Sequence, residues 1–204
     1  MIFHETTLKD AMLIDPEPRG DDRGFFARMM CREAFAAHGL IGDFVQHNMS
    51  FSRNRGTVRG LHFQRGAHAE AKLMRCTRGE IVDVIVDLRG TSPTYLKHEA
   101  FHLTAENRRL LYVPPGFAHG FQTLTDDVEV FYPVSAAYAP GMEGGLRHDD
   151  PLIGIAWPLE VSGLSAKDAS WPLLRRGAPP IFPGGAAERE RAATGAGIIG
   201  AAPP

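Results

Sequence analysis

Glu80-Ile81-Val82-Asp83-Val84-Ile85-Val86-Asp87 decides how this chain is read. In an extended strand successive side chains alternate, so Val82, Val84 and Val86 form one apolar face. Ile81, Asp83, Ile85 and Asp87 form the other, which is mixed. If the mixed face lines the inside of a barrel, Asp83 is a polar group in a cavity and needs a partner. If it faces outward, Asp83 is an ordinary solvated carboxylate. The pattern leaves both open.

The neighbours of this run have the same character. Residues 56–64, 71–76, 95–103, 109–113, 118–124 and 128–134 read as further strands. Turn-forming pieces separate several of them, among them Arg78-Gly79, Arg89-Gly90-Thr91-Ser92-Pro93, Pro114-Pro115-Gly116 and Thr125-Asp126-Asp127. Many short strands with no helix between them predict an antiparallel β-sandwich or barrel. Helix is expected only over 32–38, stopped by Gly39, and in a short turn opened by the capping-type Ser165 of Ser165-Ala166-Lys167-Asp168. From Gly177 to Pro204 the composition turns to Gly, Ala and Pro, too poor in apolar surface to offset ordering entropy. The expected division is one domain over 1–176 and a flexible tail over 177–204.

The chain has 204 residues, 44% of them hydrophobic, which suits one domain with a real core. A formal net charge of −2 argues against a general nucleic-acid binder but not against a local basic pocket. Cys31 and Cys76 lack zinc-type spacing and imply no disulfide framework. Cys76, in an apolar run, reads as a small core residue. No stretch is long and apolar enough to span a membrane, and the N-terminus lacks a secretory pattern, so the cytoplasm is expected.

Three strands carry candidate chemistry. Arg59-Gly60-Leu61-His62-Phe63-Gln64 places an imidazole among apolar residues. A lone histidine there is more often a core residue, and as a base it would need an acceptor to set its tautomer; Asp168 and Asp83 are the candidates. His62 and Gln64 share a side, and Arg59 points the other way unless a bulge at Gly60 re-aims it. Lys72 lies inside an apolar strand, where lysine is uncommon unless it is paired, working, or guarding an edge. Tyr132 shares a face with Val128 and Val130, as a structural ring or as a proton donor. Base, cation and weak acid are the groups needed to move a proton on a carbon beside a carbonyl. Arg23, Arg59 and His119 could converge on a diphosphate, though each alone reads as surface charge.

Pro115-Gly116-Phe117-Ala118-His119 is similar to an element of metal-binding cupins. The first half offers only His62-Phe63-Gln64, and Glu70 is not at the usual interval before Gly79. Two histidines fall short of a three- or four-ligand set, so no metal is expected.

Taken together, the chain resembles the dTDP-4-dehydrorhamnose 3,5-epimerase family of sugar-nucleotide epimerases. The resemblance runs in order from about residue 20 to about 172. It rests on Asp22-Arg23-Gly24-Phe25-Phe26, Phe44-Val45-Gln46-His47-Asn48, Arg59 to Gln64, Lys72 to Cys76, Val82-Asp83-Val84, Pro115 to Phe121, Tyr132, Tyr138, Asp149-Asp150-Pro151, Ile155-Ala156-Trp157-Pro158 and Ser165 to Asp168. It implies a cupin-type antiparallel β-barrel (jelly roll) and catalysis without cofactor or metal. His62 would be the base, Asp168 its acidic partner, Lys72 the stabiliser of the enolate and Tyr132 the proton donor from the opposite face. It implies diphosphate contacts from Arg23, Arg59 and His119, and contacts near the nucleotide base from Gln46, Asn48 and Phe26. Tyr138, Asp83 and Lys167 complete the substrate-binding set. The substrate would be a dTDP-linked 4-keto-6-deoxyhexose inverted at C3, C5 or both. The family usually forms homodimers, in which Arg23 and Phe26 could reach the neighbour's site. The rivals are a metal-dependent cupin enzyme and a non-catalytic sugar-nucleotide binding protein; the latter needs no acid–base set.

Overall fold

The structure, a computed structural model, describes residues 1–184. Thirteen strands and two short helices follow in order: β1 (Ile2–Glu5), β2 (Met12–Asp15), β3 (Arg19–Asp21), β4 (Gly24–Phe26), α1 (Arg32–Ala37), β5 (Gln46–Ser52), β6 (Val58–Gln64), β7 (Lys72–Arg78), β8 (Glu80–Asp87), β9 (His98–Thr104), β10 (Leu110–Val113), β11 (Phe117–Thr123), β12 (Val128–Val134), β13 (Glu143–Gly145) and α2 (Ala166–Ala169). One sheet runs β1-β2-β10-β7-β12-β5 and a second β13-β6-β11-β8-β9, while β3 and β4 form a separate hairpin. All strand pairs are antiparallel. This is the mainly β, antiparallel architecture expected from the strand spacing, in the cupin-type form that the resemblance implies.

The alternation in β8 now has a direction. Ile81 and Ile85 pack between the two sheets with Met74 and Cys76 of β7, Phe117 and Phe121 of β11, and Val128 and Val130 of β12. Val84 and Val86 face the other way, under Leu146, Ile153 and Phe182. The mixed face is therefore the interior one, and Asp83 is buried inside the barrel. Cys76 behaves as a core residue: burial pushes its thiol up to about 11. A third cluster covers the back of the first sheet, where Phe35 of α1 meets Ile14, Leu73 and Tyr112.

Two glycines are required by the geometry. Gly79 turns β7 into β8 at φ +74°, where a Cβ would meet Thr125 Oγ1 at 2.5 Å. Gly60, at φ +111°, lies so close to β11 that a Cβ would stand 2.6 Å from Gly120 Cα. At this point the register between β6 and β11 shifts: His62 opposes His119, but Arg59 opposes Phe121. Three steps on β6 thus match two on β11, which is a bulge. It turns Arg59 to the same inner side as His62.

Strand expectations held for β8 and β12 to the residue, and α1 and α2 stand where the capping and glycine signals put them. Residues 95–97 are turn rather than strand, so β9 starts at His98. The strands β1 to β5 and β13 went unread. β1 and β5 are sheet edges, and β5 reverses the usual pattern, with polar Gln46, Asn48 and Ser50 on the less exposed side and Met49 and Phe51 outward. Residues just past the expected boundary at 176 also touch the barrel. Phe182 is 3% exposed, bridges to Arg89 and meets Phe63 edge-on at 5.6 Å. The rest of the expected tail, 185–204, lies outside the described residues. Among the described residues no helix is long and apolar enough to cross a membrane.

Candidate active site

At the Lys72 end of the barrel a cavity of about 310 Å3 opens between the two sheets. β6 delivers His62 to it, and α2 delivers the partner from more than a hundred residues away. Ser165 caps α2 by accepting from Asp168 N at 3.0 Å, which fixes the first turn and points the Asp168 carboxylate at β6. His62 Nε2 lies 2.6 Å from Asp168 Oδ1, and Gly60 N donates to Oδ2 at 3.3 Å. Burial works against the Asp168 charge. The His62 hydrogen bond and charge, the Gly60 amide and the Ser165 cap together outweigh it and hold the carboxyl below the usual range. With Nε2–H donated to Asp168, the His62 Nδ1 lone pair is left for the cavity.

Lys72 opens β7 on the inner face with Met74 and Cys76, because strand alternation admits no other parity. Its Nζ stands 3.3 Å from Glu70 Oε1. Tyr132 enters from β12, beyond Val128 and Val130 on the same inward face. Burial raises the phenol pKa; the Glu70 charge raises it further and Arg59 opposes. A phenol held protonated is fit to give a proton rather than take one.

Gln46 and Asn48 line the cavity from β5, joined to each other by a 2.8 Å hydrogen bond. Tyr138 lies at the mouth with its amide on Gln46 Oε1 at 3.1 Å. Lys167 reaches the rim indirectly, through Glu143. His62, Lys72, Tyr132, Asp168, Gln46, Asn48, Tyr138 and Lys167 therefore converge on or around one cavity.

Other expected residues are placed differently. Asp83 does not serve His62. It is 0% exposed, and its Oδ2 lies 2.9 Å from His119 Nε2, so any influence on a bound molecule passes through His119. Burial raises the Asp83 carboxyl, with His119 and Lys72 opposing. Arg59 faces inward but spends its guanidinium on Ser52 Oγ at 2.8 Å and Phe51 O at 2.7 Å. Arg23 and Phe26 sit on the exposed β3–β4 hairpin and do not line the cavity; Arg23 pairs with Asp21 instead. No group of three His, Cys, Asp or Glu side chains among the described residues is arranged to hold a metal.

Two contributors are not assigned from the sequence, where Glu70 is weighed only as a metal ligand. Glu70 is nearly buried between Lys72, Gln64 and Tyr132. Its signal was the Glu70-x-Lys72 spacing, which puts opposite charges on one side of an extended chain. Glu143 opens β13, the partner strand of β6, and no local pattern marks it.

Comparison with known proteins agrees with this geometry. The family model for dTDP-4-dehydrorhamnose 3,5-epimerase matches residues 5–176. The enzyme of that name from Salmonella typhimurium is 45% identical over 178 residues, covering 85% of this chain and 96% of that one. Its namesake from Methanothermobacter thermautotrophicus is 46% identical over 183 residues, covering 88% and 97%. A crystal structure of the Bacillus anthracis enzyme with TDP and PPi bound superimposes with a TM-score of 0.82 at 43% identity, covering 85% of this chain and 99% of that one. With a matching fold, a matching family model and this cavity, the chain belongs to the dTDP-4-dehydrorhamnose 3,5-epimerase family of isomerases.

Proposed function

We propose that His62 removes the proton from the carbon beside the C4 ketone of a dTDP-linked 4-keto-6-deoxyhexose, and that Tyr132 returns one from the opposite face. The reaction is epimerisation at C3, C5 or both, a step of deoxysugar biosynthesis. In the forward step the C–H pair becomes the enolate double bond, negative charge moves to the C4 oxygen, and the proton rests on His62. Lys72 Nζ faces that oxygen. The Tyr132 phenol protonates carbon and the double bond returns to the ketone; His62 then releases its proton to solvent and the tyrosinate takes one up, which restores both groups. Asp168 holds the His62 ring and steadies the imidazolium. Gln46, Asn48 and Tyr138 contact the nucleotide, with Arg59 and His119 toward the diphosphate. The TDP in the Bacillus anthracis relative supports that nucleotide.

The observation that carries this reading is the 2.6 Å His62–Asp168 pair opening on the same cavity as Lys72 and Tyr132. A binding protein has no need of such a set. We further propose a cytoplasmic homodimer. The outer face of edge strand β5 and the residue before it leave Val45, Met49 and Phe51 66%, 65% and 45% exposed, and the β3–β4 hairpin stands free to bring Arg23 and Phe26 to a second copy's cavity. Incubation with dTDP-4-keto-6-deoxyglucose in heavy water tests the chemistry. Deuterium should enter at C3 or C5, and His62→Asn should abolish entry; exchange that survives in the variant removes His62 from the role.

A further inference from the structure

Glu70 has no part in the reaction as written above, yet it is the joint between three groups that do. It lies between the turn Gly66–His68 and β7, with a side chain 10% exposed. Oε1 faces Lys72 Nζ at 3.3 Å, and among the described residues Lys72 has no other ion-pair partner. Oε2 accepts a close hydrogen bond from Gln64 Nε2, two residues along β6 from His62. The same Gln64 amide faces Ala137 O at 3.3 Å, and its Oε1 accepts from Ala139 N at 2.7 Å, on either side of Tyr138.

A lysine head on a flexible four-carbon stem does not hold one position unaided. The other contact of Lys72 Nζ, with His62 O, is long at 3.4 Å. We propose that Glu70 is a positioning residue for this reaction: its carboxylate holds Lys72 Nζ against the site of the developing enolate and, through Gln64, ties it to the strand that carries His62. The inference rests on the epimerase reading. Glu70 also bears on the proton donor, since its charge helps keep the phenol of Tyr132 protonated. The charged and titratable groups around that phenol are Glu70 just before β7, Lys72 at its start, Arg59 and His62 on β6, Tyr138 before β13 and Glu143 on it.

Glu70→Gln tests this, because it keeps the size and an acceptor oxygen for Gln64 but removes the charge. A cation displaced by about 1 Å costs up to a hundredfold in rate, so kcat should fall about ten- to a hundredfold with KM nearly unchanged. The alkaline limb of the kcat profile should move to lower pH. Without the neighbouring anion the phenol ionises sooner as pH rises, and the protonated donor is lost earlier. A double-mutant cycle with Lys72→Met should show the two losses to be far from additive. Wild-type kcat and an unmoved alkaline limb in Glu70→Gln overturn the proposal. So does a loss in both Glu70→Gln and Glu70→Ala that follows thermal stability alone, with additive effects in the cycle. A wild-type protein that exchanges no deuterium into the keto sugar overturns the epimerase reading itself, and this inference with it.

Discussion

Two of the histidine–aspartate pairs among the described residues stand side by side, their histidines opposed on the neighbouring strands β6 and β11, and they are built for different ends. His62–Asp168 is 2.6 Å long, with side chains 33% and 5% exposed. His119–Asp83 is 2.9 Å long, with side chains 8% and 0% exposed. In the first, Asp168 has a second donor, Gly60 N, on its other oxygen; in the second, Asp83 Oδ1 has no partner among the described residues. Hydrogen bonds win over burial at Asp168 and its carboxyl falls below the usual range, whereas burial wins at Asp83 and its carboxyl rises. Contact between identical residue types therefore does not distinguish the two pairs. Access to the cavity and completion of the carboxylate's hydrogen bonds do.

The largest expected effect would break the comparison if it came out reversed. Asp168→Asn should lower kcat by about a hundredfold or more, because the imidazolium formed during proton abstraction loses its counter-charge. Asp83→Asn should cost less than about tenfold, since asparagine still accepts from His119 and no reacting atom is touched. Steady-state epimerisation rates of the two variants measure this, and a larger loss in Asp83→Asn would make the inner pair the working one.

Tyr132→Phe sharpens the role of the open pair. His62 alone can take and return a proton on its own face, so deuterium entry should persist within about tenfold. Inversion, which needs the opposite face, should slow by about a hundredfold. NMR of exchange and of epimer ratio in the same sample separates the two, and equal losses would remove the phenol as donor.

Phe182→Ala examines what holds the outer side of the His62 strand. Removing a buried phenyl ring costs about 3–5 kcal/mol, read as a lower urea midpoint. A loss under about 1 kcal/mol would mean that the segment after Arg176 only rests on the barrel.

The smallest effect is the most diagnostic, because the two pairs should differ in sign. The Asp168 carboxyl is lowered by folding, so its charge stabilises the protein above the unfolded pKa near about 3.9, and that stability is lost as pH falls through the folded value. The Asp83 carboxyl is raised, so its charge costs stability as pH rises past the folded value, and the cost vanishes below the unfolded one. At pH 7 Asp168→Asn should melt below wild type and Asp83→Asn above it, and both differences should shrink on acidification. A change of about 1 kcal/mol moves the midpoint about 2–4 °C in a domain of this size. Shifts of the same sign would show that the two carboxylates share one environment.

Several parts of this molecule could be read from the chain because their signals are local. Alternation in β8 and β12, the Gly79 turn, the Ser165 cap and the inward parity of Lys72 and Tyr132 all follow from backbone geometry over a few residues. Those signals, with the motifs around His62 and Asp168, were enough for the barrel and for the four groups assigned to chemistry. Pairing was not readable from the residues themselves, and only the resemblance set Asp168 rather than Asp83 against His62. Whether Asp168 or Asp83 would meet His62 depended on how α2 packs over β6, which involves contacts across 106 positions. The aim of Arg59 depended on a bulge that exists only because β11 lies against Gly60. Glu70 became part of the site only when β6, β7 and β12 closed around it, and Phe182 became core only when a hydrophobic face was there to receive it. Periodicity decides which side of a strand a residue occupies; the distance, burial and charge that make it a base, an anchor or a sealed ion pair come from neighbours remote in sequence.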